Sequence, residues 1–337
     1  MTPTLHPRLL NGIAGDPAVF VEAMHSPGAI LFDCGDLSTL STRHLLRVEL
    51  LCVSHAHMDH WADFDRLLRP LIGREKTLTV VGPPGFAQRL HHRLASYSWN
   101  LVDRIPADLV FDAMEVHPGR IARTRFRLHT GFAPEALADA MPEDGVVLRL
   151  GSLALRAALL DHGTPSLGFA LEEARHINIL GSRLAERGLP TGPWLTALKQ
   201  AVAERRPDAY PIPVFARAAE AASAPVQPLG ALRDLVSETP GQRIAYLTDF
   251  ADTPANRAAA VALAEHADTL LIEAPFLAAD AAHAADRMHL TTTAAGEIAR
   301  AAGARRVMPF HLSPRHLGAE VQWMAEIEAA FGGPLSP

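Results

Sequence analysis

The stretch "VSHAHMDHWADF", which begins at Val53, places three histidines and one aspartate within six residues. These are His55, His57, Asp59 and His60, and they directly follow the apolar run "RVELLCVS". A buried strand that leads into four such groups needs a partner for them, because burying unpaired polar groups is costly. Imidazole and carboxylate groups are ligands of divalent metals. The stretch therefore predicts a metal site.

Three further ligand-type residues stand at the ends of other apolar segments. His162 follows "LRAALLD", Asp249 follows "RIAYLT" and His311 follows "RVMPF". Strands can bring such distant residues to one rim of a sheet, where they would join the cluster. Together they make seven candidate ligands, which is more than one tetrahedral ion uses. The number fits two ions that share a carboxylate and a hydroxide, an arrangement used for hydrolysis.

The segments that must position these residues have the lengths and boundaries of strands and helices. In the first half, we predict strands in "AVFVEAM", "AILFDCG", "ELLCVS", "LTVVGPPG", "VVLRLG" and "LALRAALLDHG". Residues 63–72 have helical spacing. The second half alternates strands at "RIAYLTDF", "DTLLIEAPF" and "RVMPFH" with helices at 255–266 and 291–302. The pattern predicts a layered α/β protein.

Length and composition limit what the metal site can belong to. The chain has 337 residues, 48% of them hydrophobic, which is enough for a substantial core in one large or two modest domains. The Ala- and Pro-rich stretch 205–242 predicts a surface excursion. The chain starts without a signal-peptide pattern and lacks an apolar run of about eighteen residues, so we expect a cytoplasmic protein with no membrane partner.

Cysteine content and net charge narrow the chemistry further. Cys34 and Cys52 are the only cysteines, so neither a disulfide framework nor a thiolate metal cluster is expected. The net charge of -6 gives no global electrostatic reason to expect a nucleic-acid partner. The balance favours a small or neutral substrate.

The string "HAHMDH" resembles the H-x-H-x-D-H signature of the metallo-β-lactamase superfamily. More narrowly, the chain resembles ribonuclease Z, the tRNA 3′-processing branch. The matches occur in order and cover nearly the whole chain: "LFDCGD", "LTVVGPPG", "DHGTPSLGFALEE", "GLPTGP", "TDF", "HLTTTAA" and "FHLSPRH". The resemblance implies a single domain over 1–337 with a four-layered αβ/βα sandwich, in which helices flank two mixed sheets. It also allows a homodimer.

The resemblance implies a role for each ligand candidate. Two zinc ions, with manganese or iron as alternatives, would share a hydroxide that attacks the substrate, because a bound divalent ion brings the pKa of water to roughly neutrality. Asp59 and His289 would be catalytic, with His289 beside the leaving group as proton donor. The implied ligands are His55, His57 and His162 for one ion and Asp59, His60 and His311 for the other, with Asp249 as the bridge.

The residues around these segments predict how substrate is held. We expect Arg315 in "SPRH" and Asp33 in "LFDCGD" to contact substrate, because both lie close to ligand segments. The ribonuclease Z pattern has a glutamate before the bridging aspartate that pairs with the histidine of "HLT". Tyr246 stands three positions before Asp249. We therefore expect His289 to lack an orienting carboxylate.

Basic residues give two opposite indications about RNA. Arg123, Arg125 and Arg127 recur at every second position, which in a strand makes either a phosphate-tracking stripe or an exposed charged face. The resemblance implies a basic arm between His162 and Asp249. Residues 163–248 instead contain nine Lys or Arg against eight Asp or Glu. Such a balanced segment predicts weak tRNA binding.

Three functions remain open at this stage. The first is a metal-dependent phosphodiesterase of the ribonuclease Z type, acting on a small phosphodiester or on RNA, up to true tRNA 3′ processing. The second is another hydrolase on the same scaffold, for a lactone or a sulfate ester. The third is a silent binding protein, against which the complete ligand set argues.

Overall fold

The computed structural model describes residues 4–23 and 28–335. Within them, no helix is both long enough and apolar enough to span a bilayer. The strands are β1 (Leu5–Leu9), β2 (Val19–Ala23), β3 (Ala29–Phe32), β4 (Val48–Cys52), β5 (Lys76–Gly82), β6 (Leu109–His117), β7 (Arg120–Arg127), β8 (Pro134–Ala140), β9 (Val146–Leu150), β10 (Leu153–Asp161), β11 (Pro165–Glu173), β12 (His176–Ile179), β13 (Pro211–Pro213), β14 (Val226–Pro228), β15 (Val236–Thr239), β16 (Arg243–Leu247), β17 (Thr269–Glu273) and β18 (Val307–Phe310). The α-helices are α1 (Thr42–Arg47), α2 (Met58–Trp61), α3 (Phe64–Leu71), α4 (Phe86–Ala95), α5 (Gly181–Glu186), α6 (Trp194–Ala203), α7 (Pro254–Ala264), α8 (Ala281–Asp286), α9 (Thr292–Ala301) and α10 (Glu320–Phe331).

Two large mixed sheets form the centre of the larger of two compact units, which comprises the chain up to Glu172 and from Gln242 onward. The first sheet has eight strands in sequence order, β1 to β8. The second sheet has six strands in the order β18-β17-β16-β11-β10-β9. The first sheet is parallel from β3 to β6, and the second is parallel from β16 to β18.

Three apolar cores stack these elements into layers. Helices α3 and α4 cover the outer face of the first sheet, with Phe64 packed in the same core as Leu78 of β5. The two sheets face each other across a second core, where the rings of Phe32 and Tyr246 stack with centroids 5.4 Å apart. Helices α7, α9 and α10 cover the second sheet, and Ile298 lies in that core. The predicted four-layered αβ/βα sandwich is therefore confirmed.

Parallel strands that end level with one another create the rim on which the site is built. In the first sheet, Phe32 at the end of β3 pairs with Cys52 at the end of β4. In the second sheet, Glu273 at the end of β17 pairs with Phe310 at the end of β18. The carboxyl ends of neighbouring parallel strands lie at one edge of a sheet. The residues that follow β3 and β4 therefore come together, and so do those that follow β16 and β18.

The elements predicted from apolar runs are confirmed. The predicted strands correspond to β2 to β5, β9, β10 and β16 to β18, and the predicted helices to α3, α7 and α9. The hairpin of β6 and β7 was not predicted, because the alternating arginines of β7 interrupt the apolar pattern. Since β7 pairs with both β6 and β8, it is an interior strand and not an edge.

The smaller compact unit comprises residues 173–241. It contains helices α5 and α6 and two two-stranded sheets, β12-β15 and β13-β14. Its own core includes Trp194 and Leu198 of α6 together with Leu232. The predicted excursion at 205–242 lies almost wholly inside this unit, which begins earlier in the chain. The mixed composition of residues 173–204 gave no sign that two helices there share a core with later strands.

Candidate metal centre

The first sheet supplies its part of the site through the segment that follows β4. The chain turns so that His55 is fully buried, and α2 then buries His60 while Asp59 stays half-exposed. The loop after β3 supports this segment, because Cys34 N–H donates to the His60 carbonyl over 2.9 Å. A Cβ at Gly35 would lie 1.8 Å from the Asp59 carbonyl oxygen. Only glycine therefore lets the two segments approach so closely.

The second sheet supplies single residues from separate strand ends. His162 follows β10, Asp249 lies two residues after β16, and His311 follows β18. Asp249 and His311 have left-handed backbone conformations, with φ of 46° and 66°. Side-chain-bearing residues adopt this region sparingly, and its occurrence clusters at functional sites. The two sharp turns re-aim these side chains toward the segment after β4.

All seven predicted ligands are brought together in two groups that share Asp249. Nε2 of His55 and Nε2 of His162 each lie 3.6 Å from Asp249 Oδ2, and Nε2 of His60 lies 3.3 Å from the same oxygen. In each group, one ligand atom per residue lies within 4.8 Å of the others. The first group is His55, His57, His162 and Asp249, and the second is Asp59, His60, Asp249 and His311.

Unpartnered buried atoms show that the groups fit divalent metal ions. Among the described residues, His55 Nε2, His60 Nε2 and His311 Nδ1 are buried without a hydrogen-bond partner. Leaving a buried polar atom unsatisfied costs about 1–3 kcal/mol, and these three belong to the ligand groups. The donors are all imidazoles and carboxylates, which suit zinc, manganese and iron.

Burial and neighbouring charges set the protonation of the ligands. Burial lowers the pKa of His55 to about 2, so its imidazole is neutral. Burial opposes ionisation of Asp249, but His311 and His60 outweigh it and hold the pKa of that carboxyl well below its usual range. Burial also disfavours a charged His60, yet Asp249 and Asp33 raise the pKa of His60 well above its usual value. A metal cation would displace that proton, since metal binding to histidine releases protons.

Asp33 lies beneath the centre and is fully buried. Its carboxylate is fully buried and accepts hydrogen bonds from Ser54 N–H at 2.7 Å, Ser54 Oγ at 2.8 Å and Tyr246 OH at 2.7 Å. His60 Nδ1 lies 2.8 Å from the same carboxylate. This contact leaves Nε2 of His60 free for the ligand group, as carboxylates commonly do behind metal-binding histidines. The predicted substrate contact of Asp33 therefore lacks an exposed group to make it.

His289 does have an orienting carboxylate, contrary to the expectation from Tyr246. Its Nδ1 lies 2.7 Å from Oε2 of Glu273, which is fully buried at the end of β17. Burial disfavours a charged imidazole, but Glu273 outweighs it and raises the pKa of His289 to about 9. Sequence reasoning missed Glu273, although "TLLIE" ends in a ligand-type residue just as the segments before Asp249 and His311 do.

A backbone contact fixes the ring of His162. Nδ1 of His162 lies 2.8 Å from the carbonyl oxygen of Met288, so it is the protonated nitrogen. Nε2 is then the free nitrogen, which faces Asp249. Met288 directly precedes His289 and has a left-handed φ of 57°, and the rings of His162 and His289 lie with centroids 4.8 Å apart. This short segment therefore ties a ligand to the proposed proton donor.

A cavity of about 410 Å³ opens over the two groups. Asp59, His289 and His311 line it, and so do His283 and Arg287, which the sequence did not single out. Arg315 is absent from the lining; it is half-exposed, and its Nη1 lies 4.0 Å from Asp280 Oδ1. The predicted substrate contact of Arg315 stays a prediction.

The arginine stripe of β7 is largely engaged in ion pairs. Arg125 makes two hydrogen bonds to Asp112, of 2.6 and 2.8 Å, and Arg127 makes one of 3.0 Å to Asp108. Both partners belong to the same sheet or to its approach, so these arginines serve strand pairing across β6 and β7. Of the two alternatives, the charged strand face accords with these contacts.

The chain is similar in sequence to known proteins of one superfamily. The family model described as Beta-lactamase superfamily domain matches residues 211–312 of this chain. Ribonuclease Z of Deinococcus radiodurans is 33% identical over 326 residues, which cover 94% of this chain and 91% of that protein. Ribonuclease Z of Thermobifida fusca is 30% identical, covering 91% of this chain and 82% of that protein.

A solved structure shows the same fold. The metallo-beta-lactamase fold protein YhfI from Bacillus subtilis superposes with a TM-score of 0.56 at 15% identity, covering 97% of this chain and 93% of that chain. With a relative more than 30% identical over nearly its full length, the chain is a metal-dependent hydrolase of the ribonuclease Z family within the metallo-β-lactamase superfamily.

Proposed function

We propose that this chain hydrolyses phosphodiester bonds of RNA with two divalent ions, zinc being the first choice. The observation that carries the proposal is the convergence of seven imidazole and carboxylate side chains around Asp249, with three buried nitrogens left unpartnered. The names of the relatives support RNA as the substrate class, since both compared sequences are called ribonuclease Z.

The two groups would hold one ion each. His55, His57 and His162 would bind the first, and Asp249 would contact both. The second would take Asp59, His60 and His311. When bound, two such ions supply a hydroxide nucleophile near neutral pH and stabilise negative charge on the phosphate oxygens.

The protein's own residues would position the reaction and move the proton. Glu273 keeps His289 protonated and directs its ring, so that Nε2–H can donate to the departing oxygen. Asp59, with a side chain 41% exposed, lines the cavity and is the second catalytic candidate. Asp33 holds His60 from behind.

We further propose that affinity for a whole tRNA is weak. The chain carries a net charge of -6, and Arg125 and Arg127 already pair with carboxylates. Affinity for nucleic acid comes largely from phosphate contacts with free cationic groups. The metal centre can nevertheless act on a phosphodiester that reaches it.

The test combines metal analysis with a substrate panel. The protein is purified gently, its metal content is measured by elemental analysis, and it is then assayed on a precursor tRNA, bis-p-nitrophenyl phosphate, a lactone and an aryl sulfate. We expect about two transition-metal ions per chain and hydrolysis of both phosphodiesters. One ion at full occupancy would contradict the two-metal site, and turnover of only the lactone or the sulfate would replace the phosphodiesterase assignment. Light scattering of the same sample tests the predicted homodimer.

A further inference from the structure

Arg287 is the one Lys or Arg among the described residues that line the cavity over the metal centre. It follows α8 directly, and its side chain is exposed. Within the part of the chain that the structure describes, its guanidinium group has neither an ion pair nor a hydrogen bond. Arg315, by comparison, already lies beside Asp280. Arg287 can therefore bind an incoming anion without first breaking another contact.

The backbone that carries Arg287 is fixed to the metal centre. Its N–H donates to the His283 carbonyl over 3.0 Å, which closes the last turn of α8. The next residue, Met288, accepts the hydrogen bond from His162 Nδ1. The residue after that is His289, held by Glu273. The end of α8 on one side and the contact of Met288 with His162 on the other therefore fix the backbone from which the flexible Arg287 side chain extends.

We propose that Arg287 binds a second phosphate, adjacent to the one being hydrolysed. The inference rests on the proposed phosphodiesterase function and specifies its substrate class as a nucleotide chain with consecutive phosphates. The ligand groups and His289 account for the reacting phosphate and its leaving group. The guanidinium at the wall of the same cavity is then still unassigned, and its planar donors suit a neighbouring phosphate.

The arrangement would let a weakly binding enzyme choose its substrate. A single arginine contributes little to overall nucleic-acid affinity, because affinity grows with the number of phosphate contacts. It does distinguish a phosphodiester within a chain from an isolated one. Arg287 is thus a specificity residue and, since it does not touch the scissile bond in this proposal, not a catalytic one.

The experiment compares two substrates that differ by one phosphate. They are thymidine 5′-(p-nitrophenyl phosphate) and the same compound carrying a 3′-phosphate, both assayed with the protein as purified. We expect Arg287→Ala to raise KM for the doubly phosphorylated substrate about tenfold, as for loss of a partly solvated charged hydrogen bond. KM for the singly phosphorylated substrate and kcat for both should change less than about twofold. Arg287→Lys, which keeps the charge without the fork, should restore part of the preference.

A binding measurement gives a readout that does not depend on turnover. Calorimetric titration with thymidine 3′,5′-bisphosphate and thymidine 5′-monophosphate should show the same loss of preference in Arg287→Ala, and the preference should shrink as salt rises. Arg300→Ala is the matched control, because it removes an exposed arginine from α9, away from the cavity lining. Metal content should be unchanged in both variants.

The outcomes separate this proposal from the function on which it rests. If the wild type hydrolyses both substrates but Arg287→Ala weakens them equally, the second-phosphate role is wrong and the phosphodiesterase function stands. An equal loss of preference in Arg300→Ala would mean that net charge, not Arg287, sets it. If the wild type hydrolyses neither substrate, the phosphodiesterase proposal fails and this inference fails with it.

Discussion

The two large sheets contribute to the metal centre in different ways. The first sheet provides His55, His57, Asp59 and His60 from one short segment after β4, backed by a buried aspartate that directly follows β3. The second sheet provides one residue at a time, from the ends of strands that lie far apart in sequence. The segment after β4 is recognisable in the sequence as a motif. The residues of the second sheet are far apart in the sequence, and only the order of the strands brings them together.

Each sheet also places a fully buried carboxylate behind a histidine. In the first sheet it is Asp33, which contacts the predicted ligand His60, and in the second it is Glu273, which contacts His289. The histidine of the first pair belongs to a ligand group that the sequence predicted, while that of the second pair is the proposed proton donor. The same device would thus serve metal affinity on one side and proton transfer on the other.

The largest expected effect comes from Asp249, the residue that joins the two sheets' ligands. Asp249→Ala should lower hydrolysis at least about a thousandfold, because stabilisation by metal ions is worth several kcal/mol. His57→Ala, which removes an exposed ligand of one group only, should cost less activity and spare the other ion. Elemental analysis and initial rates on bis-p-nitrophenyl phosphate check both variants.

Asp103→Ala serves as the control for these two changes, because it removes an exposed carboxylate in the short helix after α4. It should retain its metal and its rate. Equal metal loss in Asp249→Ala and His57→Ala would show that the two groups do not share Asp249, and the assignment of a bridging residue would be withdrawn.

Replacing each of the two buried carboxylates by its amide should have different effects on metal affinity. Asp33→Asn should weaken metal affinity about 10–100-fold, the usual cost of losing a carboxylate behind a ligand histidine. Glu273→Gln should leave metal affinity near that of the wild type, because neither Glu273 nor His289 is among the residues proposed for the ions, although both lie in a further group with Asp249 and His311. Titration with zinc in the presence of a competing chelator measures both. A drop of metal affinity in Glu273→Gln would make His289 a ligand.

The rate loss caused by replacing His289 should depend on the leaving group of the substrate. His289→Ala should slow cleavage of RNA about a hundredfold, because an alkoxide leaves poorly without a proton. The effect on bis-p-nitrophenyl phosphate should be within about threefold, since p-nitrophenolate leaves unaided. In the His289→Ala background, Glu273→Gln should have no further effect on RNA cleavage, as expected for residues that act as one unit. Similar losses on both substrates would assign His289 to transition-state charge or substrate position.

The contrast between the sheets also explains which site residues could be predicted from the sequence. The segment after β4 and the strand ends at His162, Asp249 and His311 were predicted, because apolar runs that stop at a polar ligand leave a local signal. Glu273 gave the same signal but was missed, because the resemblance implied a glutamate near Tyr246. The contact of His162 with the Met288 carbonyl could not be predicted, since backbone partners leave no trace in side-chain type.

The distribution of free arginines resisted prediction for a related reason. Spacing alone made Arg123, Arg125 and Arg127 look equivalent, yet pairing with Asp112 and Asp108 engages two of them. Arg287 lies two residues before the "HLTTTAA" segment and is not part of it, and only the fold brings it into the cavity. Whether an arginine side chain can bind a phosphate depends on whether a carboxylate already pairs with it in the fold, and the spacing of residues in the sequence does not show this.

The smallest expected effect is the response of tRNA binding to salt. With few unpaired arginines near the cavity, we expect weak binding of a labelled precursor tRNA and a slope of log affinity against log salt no steeper than about -2, corresponding to about two phosphate contacts. A titration at several salt concentrations, run beside a cleavage assay, measures it. Arg287→Ala should make the slope shallower by about one, as for any lost phosphate contact. Tight binding with a steep slope and cleavage at the 3′ trailer would overturn the weak-binding proposal, and it would mean that cationic surface outside the cavity grips the RNA.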